Sequence, residues 1–215
     1  DFYVVSRSGP ETTLDGVLEL VCDRLPARGF DPRADVMTLV PMRKGTIGLH
    51  ALNAVLEQRL NPGHRPVVVQ SSGLRVGSRI VQTKNDYTPD REVMNGEVAF
   101  ILSFDEEEDE VRLSLDDGER EIVVPTAALA TYDLAWALTV HRSQGSQFPA
   151  VVAPWSTQYA IMLSRSLLYT AVTRAQRLCV LVGEKRAVSM AVLRTAERRR
   201  NSALAERVQV QAAVR

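Results

Sequence analysis

Residues 139–148, TVHRSQGSQF, set three hydroxyls, an imidazole, a guanidinium, two amides and a glycine between two apolar runs. The Thr139 hydroxyl and the His141 ring can both donate to an anionic oxygen, and Arg142 adds a fixed positive charge. Gly145 permits a close backbone approach or a positive φ. The combination suits phosphate. It equally suits an ordinary strand-to-helix connection with Thr139 as the cap, and composition leaves both readings open.

A second set lies in residues 164–183, SRSLLYTAVTRAQRLCVLVG. Leu167, Leu168, Ala171, Val172 and Ala175 form the inward face of a helix over 164–176, and Thr170, Thr173 and Arg174 gather near its end. An arginine there complements the helix dipole as a solvated charge. Arg174 also precedes the apolar run 178–183, and guanidinium is the group that stabilises charge on a transferring γ-phosphoryl.

The elements that must position these residues follow from the apolar pattern. Phe2 to Val5 read as a strand, and Leu14, Val17, Leu18, Val21, Cys22 and Leu25 recur at helical spacing before Pro26 and Gly29. Residues 35–41 form a β-branched run, and Leu49, Leu52, Val55, Leu56 and Leu60 mark a second helix ended by NPG. Residues 134–140, 149–155 and 178–183 read as further buried strands, and a helical, arginine-rich tail follows. Strand, loop and helix in alternation predict a parallel α/β sheet, whose ligands bind at the carboxyl ends of the strands.

The middle of the chain has another texture. Residues 66–70, 78–83, 97–104, 110–115 and 120–125 are short strands joined by turn clusters such as Asn95-Gly96. They predict a small antiparallel barrel inserted into the α/β domain, with 97–104 and 110–115 as a hairpin. The acidic run 105–110 reads as its solvated tip, which also blocks edge pairing. Trp136 and Trp155 read as core.

Across 215 residues, 45% of them hydrophobic, 26 basic side chains balance 26 acidic ones, so net charge offers no general attraction to nucleic acid or membrane. Two isolated cysteines, Cys22 and Cys179, with three histidines make no zinc-site spacing, and both thiols are expected reduced in the core. No apolar run reaches the roughly 18 residues of a membrane span, so a soluble, cytoplasmic protein is expected. The opening DFYVV, strand-like and without an initiator Met, reads as part of something longer.

ALTVHRSQGSQF resembles motif V, and LLYTAVTRAQ resembles motif VI, of the RecD-like (superfamily 1B) DNA helicases. VPMRKGTIGLHALNAVLEQRLNP (40–62) resembles the motif IV region of the same branch, and GSRIVQTKND with the later NGE resembles the start of its SH3-like insertion. The resemblance implies an α/β fold: a RecA-like, P-loop NTPase-like parallel-sheet domain 2A, the second motor domain, over residues 1–70 and 131–215. A small antiparallel SH3-like β-barrel, 2B, would occupy 71–130. It implies an ATP-dependent 5′ to 3′ single-stranded DNA translocase or helicase, using ATP and Mg²⁺.

By the resemblance, Arg174 would be the arginine finger, with Arg43 (or neighbouring Lys44) a second phosphate contact and Gly145 and Gln147 approaching the nucleotide. Gln147 stands where the family commonly has Glu, and Arg142 where Lys is common. Thr139, His141 and Arg142 would hold the single-stranded DNA backbone. Lys84, Asn85 and Tyr87 form a basic, amide and aromatic cluster fit for a strand, or an exposed hairpin loop. Asn53 would touch DNA or anchor a loop, and the basic stretch 197–201 would touch DNA or coat a helix. No G-x-x-x-x-G-K-[ST] occurs, and no Walker B strand is read, so the Mg²⁺ ligands are expected in an upstream RecA-like domain of the same chain, and this part alone should not hydrolyse ATP. The rival reading is a non-catalytic module that binds single-stranded DNA or a protein partner.

Overall fold

The computed structural model describes residues 1–63, 66–67, 73–89, 91–115 and 118–194. Five strands form one parallel sheet in the order β1 (Phe2–Ser6), β10 (Ala175–Gly183), β9 (Phe148–Trp155), β2 (Val36–Val40) and β8 (Ala137–Thr139). β2 is buried along its whole length, as are β9 and β10 from Ala150 and Leu178 onward, the mark of strands covered on both faces. α1 (Pro10–Leu18) carries the chain from β1 to β2, and α3 (Arg165–Val172) carries it from β9 to β10. The two crossovers run in opposite directions, so right-handed connections place these helices on opposite faces. α2 (Leu49–Leu60) packs against β8, and α4 (Lys185–Leu193) against α3.

The first helical stripe holds, with a change of winding. α1 passes into a π-helical turn, Glu19–Arg24, and then a 3-10 turn, Pro26–Arg28. The wider turn shifts the buried face, so that Leu20 joins Val17, Val21 and Leu25 in the core. Cys22 is half-buried and Cys179 buried, both as free thiols. Burial pushes the Cys179 thiol up to about 11.

A second sheet is antiparallel, in the order β6 (Arg120–Pro125), β5 (Glu110–Leu115), β4 (Val98–Asp105), β3 (Arg79–Gln82) and β7 (Tyr132–Leu134). β4 and β5 form the expected hairpin. At its tip the Asp105 carboxyl accepts from the amides of Glu107 and Glu108, and Asp109 takes a φ of 53°. β6 and β7 stand at opposite edges of the described sheet. Leu74, Ile80, Ile101, Val111, Leu113, Leu115 and Leu129 fill a core of its own.

Three elements differ from expectation. The single strand predicted over 134–140 is two, β7 in the antiparallel sheet and β8 in the parallel one. Between them the chain changes sheets at buried Ala135 and Trp136, where the Ala135 amide donates to Arg79 O. The helix predicted to Gln176 stops at Val172: the Thr170 and Thr173 hydroxyls fold back on carbonyls of the preceding turn. Arg174 O then accepts from the Phe148 amide, which draws Ala175 into β10. The strand expected at 66–70 contributes a bridge from Pro66 to Arg75; its residues 68–70, and the tail beyond Arg194 with its basic stretch 197–201, lie outside the described residues. Among those residues no helix is long and apolar enough to cross a membrane.

Candidate functional site

β8 ends at Thr139 beside Val40, the carboxyl end of β2, whereas β9 opens at Phe148, two residues before Ala150 pairs with Val36 at the amino end. The polar segment between them therefore descends the height of the sheet. Only its first residues sit at the carboxyl ends, where the whole of it was expected. No helix follows Thr139. The Arg142 and Ser143 amides donate to Thr139 O, Arg142 N also reaches Thr139 Oγ1 at 3.2 Å, and the Ser143 hydroxyl donates to Val140 O. Thr139 is a cap, but of a compact turn that leads straight to β9 and not of a helix. Gly145 takes a φ of 92° with open space where a side chain would stand, so the turn requires glycine.

At the carboxyl end, Arg43, Lys44, Thr139, His141 and Met162 line an open cleft of about 400 Å³. Arg43 and Lys44 are exposed on the loop after β2. The amides of Leu49 and His50, which open α2, donate to Met42 O and Arg43 O. A Cβ on Gly48 would lie 2.5 Å from the Lys44 carbonyl, so this close packing of loop on helix needs a glycine. The Tyr159 hydroxyl donates to Ile47 O and pins the same loop from the β9 side. The lining holds three basic side chains and no acid, an arrangement that attracts a polyanion.

At the amino end the loop meets Arg174. Its Nη1 donates to Ser146 O at 3.0 Å and its Nη2 to Thr173 Oγ1 at 3.3 Å. Its Nε is buried without a partner. Gln147 lines a separate polar cleft of about 410 Å³ between the two sheets, together with Arg142, Asn95 and Glu97. The structure thus joins Arg43 to Thr139 and His141, and brings Arg174 to the other end of the loop beside Gly145 and Gln147. Arg43 follows the end of β2 and Arg174 precedes the start of β10, at opposite ends of the sheet.

The remaining candidates divide. Asn53 is an anchor: its amide nitrogen donates to Leu134 O and Ala137 O while its oxygen accepts from the Ala137 amide. Trp136 and Trp155 are buried. Arg142 turns inward, onto groups of the antiparallel sheet. Lys84, Asn85 and Tyr87 are exposed, with Asn85 Nδ2 donating to Tyr87 Oη at 2.7 Å. Glu57 went unmarked in the sequence: buried in α2, it receives Trp136, Asn61 and Ser78. Among the described residues no three His, Cys, Asp or Glu side chains cluster to hold a metal ion.

The 84–87 loop is held by Asp86. Its carboxyl accepts from the Thr88 hydroxyl at 2.6 Å and the Thr88 amide at 3.0 Å, with Arg91 at 3.8 Å. The Thr88 bonds, and behind them the Arg91 charge, keep it below its ordinary value. A lowered folded value means that the stabilisation is present above the ordinary carboxylate pKa and is lost as pH falls through the folded one. Acid is therefore expected to loosen this loop. In an NMR titration the Thr88 amide should shift across that window in the wild type and stay flat in Asp86→Asn.

Residues 134–182 match the UvrD-like helicase C-terminal domain. The chain is 38% identical over 173 residues to the ATP-dependent RecD2 DNA helicase of Deinococcus radiodurans, covering 80% of this chain and 23% of that protein. It is 34% identical over 122 residues to the RecBCD enzyme subunit RecD of Mycobacterium tuberculosis, covering 57% of this chain and 20% of that subunit. The chain thus spans between a fifth and a quarter of these curated relatives. Among solved structures, a Bacteroides Pif1 helicase in complex with ADP-AlF3 and ssDNA aligns with a TM-score of 0.54 at 18% identity, over 93% of this chain and 50% of that one. That likeness shows the fold, a parallel sheet shared with RecA-like helicases and joined to an antiparallel sheet. The chain belongs with the RecD-like helicases, as a homologue of RecD and RecD2 that carries a UvrD-like helicase C-terminal domain.

Proposed function

We propose that this chain is the second motor domain of an ATP-dependent translocase that moves 5′ to 3′ on single-stranded DNA, supplying an arginine finger and part of the strand track. Residues 1–70 and 131–215 would be motor domain 2A and residues 71–130 the SH3-like insertion 2B, whose sheet borrows β7 from beyond that boundary. The observation that carries the reading is the course of the 139–148 loop. One short segment begins in the cationic cleft, with Thr139 and His141, and ends where Ser146 O accepts from Arg174. A movement at either end is transmitted through compact turns to the other.

In this reading Thr139, His141, Arg43 and Lys44 hold the phosphates of the strand, contacts that position without reading sequence. Arg43 shares its cleft with the strand contacts, so its place favours the strand over the nucleotide. Lys84, Asn85 and Tyr87 add charge and a stacking face. Arg174, Gly145 and Gln147 face the nucleotide, and the Walker A lysine and the Mg²⁺ ligands come from a preceding domain. The reading draws support from a relative described as an ATP-dependent DNA helicase and from a fold neighbour solved with ADP-AlF3 and ssDNA.

Titration of a labelled oligo-dT into the chain, followed by anisotropy, tests the strand track. Thr139→Ala and His141→Ala are each expected to weaken binding about tenfold, the loss of one hydrogen bond to a charged group. Wild-type affinity in both would remove the loop from the track. Binding that is lost as expected, in a longer protein that shows no DNA-stimulated ATP turnover, would favour the non-catalytic module.

A further inference from the structure

Among the side chains expected on the strand, Arg142 alone buries its charge: the side chain is 16% exposed. Its Nη2 donates to Gln82 O at 2.9 Å and to Asn95 Oδ1 at 3.4 Å, and its Nη1 lies 3.5 Å from Asp133 Oδ2. All three acceptors belong to the antiparallel sheet. Gln82 ends β3, Asn95 sits in the turn before β4, and Asp133 is in β7. The backbone of Arg142 belongs to the other side, where its amide donates to Thr139 Oγ1.

The contacts continue outward from Asn95. Its amide donates to Asn85 Oδ1 at 2.8 Å, and Asn85 Nδ2 donates to Tyr87 Oη at 2.7 Å. An unbroken series of hydrogen bonds therefore runs from Tyr87 through Asn85, Asn95 and Arg142 to Thr139. Its two ends are the two clusters read as strand contacts, Tyr87 exposed at one and half-buried Thr139 at the other.

We propose that Arg142 is a positioning residue: it clasps the antiparallel sheet to the 139–147 loop, so that the Lys84–Asn85–Tyr87 cluster and the Thr139–His141 cluster present one continuous surface to single-stranded DNA. This rests on the strand reading above. A planar guanidinium serves acceptors in several directions at once, which an ammonium on a flexible stem does not reproduce. With both terminal nitrogens turned onto protein acceptors, one of them a carboxylate, Arg142 acts on the strand through the geometry of its neighbours and not as a phosphate contact.

Salt-dependent oligo-dT binding separates this from a direct contact. Arg142→Ala is expected to bind roughly tenfold more weakly, the scale of coupling within one hydrogen-bond network, with the slope of log affinity against log salt unchanged. Arg142→Lys should fare no better than alanine. Asn95→Ala, which removes one acceptor and leaves the loop sequence intact, should lose less in the same direction. A slope that falls by about one, with affinity retained by lysine, would mean that Arg142 touches a phosphate and would overturn the proposal. So would unaltered affinity in Arg142→Ala. Amide hydrogen exchange reads the clasp without DNA: exchange at Gly96, whose amide donates to Gln82 O, and at Ser143, whose amide donates to Thr139 O, should rise together in Arg142→Ala. No rise at either amide overturns the clasp, whereas a wild type that fails to bind DNA overturns the strand reading and leaves the exchange result to judge Arg142.

Discussion

Arg174→Ala, in a protein that joins this chain to a Walker A domain, is expected to bind nucleotide as the wild type does and to release phosphate about 10³-fold more slowly or worse. The fixed placement of the guanidinium is the reason. Ser146 O and Thr173 Oγ1 each take one N–H, which leaves one N–H on each terminal nitrogen for an anion. Its backbone is locked as well, by the amide of Phe148 on one side and the closing turn of α3 on the other. A side chain held this way adds little to ground-state binding and most to a transition state whose charge spreads over the phosphoryl oxygens. Arg174→Lys keeps the charge but loses the fork, so it should fall nearer to alanine than to wild type. Phosphate release with and without single-stranded DNA, beside equilibrium binding of a fluorescent nucleotide, measures both quantities. Turnover at the wild-type rate in Arg174→Ala would remove the finger from this position.

Much of this was legible in the residues themselves. The β-branched run at 36–40 and the apolar runs at 149–155 and 178–183 gave the three central strands, since strands covered on both faces need near-continuous apolar sequence. Thr139, His141 and Arg174 were marked by being polar where apolar sequence stops. What the pattern concealed was direction. A loop of polar residues between two strands reads the same whether it stays at one end of the sheet or crosses it, and only the register of β8 and β9 on β2 shows that this one crosses. The resemblance groups Arg43 with Arg174, and the height of the sheet separates the two. Arg142 poses a different problem: charge beside Thr139 and His141 suggests a shared ligand, while the acceptors of its side chain lie 47 and 60 residues away in sequence. Glu57 gave no signal at all. Glu-Gln-Arg on a helix reads as a solvated face, and its partners, Trp136, Asn61 and Ser78, come from three segments.

Glu57 is where the second large effect is expected. It is 3% exposed, and its oxygens accept from Trp136 Nε1 at 2.5 Å, from Asn61 Nδ2 at 2.7 Å and from Ser78 Oγ at 2.8 Å. Trp136 stands where the chain leaves the antiparallel sheet, Ser78 stands just before β3, and Asn61 also donates to Val76 O. One carboxyl on α2 therefore joins the helix to both crossings between the sheets. Glu57→Ala leaves these buried donors without an acceptor, a loss of about 3 kcal/mol, or roughly 6–12 °C in melting temperature for a chain of this size. Glu57→Gln should recover part of this, because its remaining oxygen serves some donors while its amide faces another donor. Thermal denaturation followed by far-UV circular dichroism reads the difference, and alanine melting with the wild type would show that these donors find other partners. The Arg142 clasp and the Glu57 junction attach the same sheet at opposite ends of β3, and their variants should separate. Loss at Glu57 lowers stability while folded protein still binds the strand; loss at Arg142 weakens the strand with a smaller change in melting, because its guanidinium lies nearer to solvent.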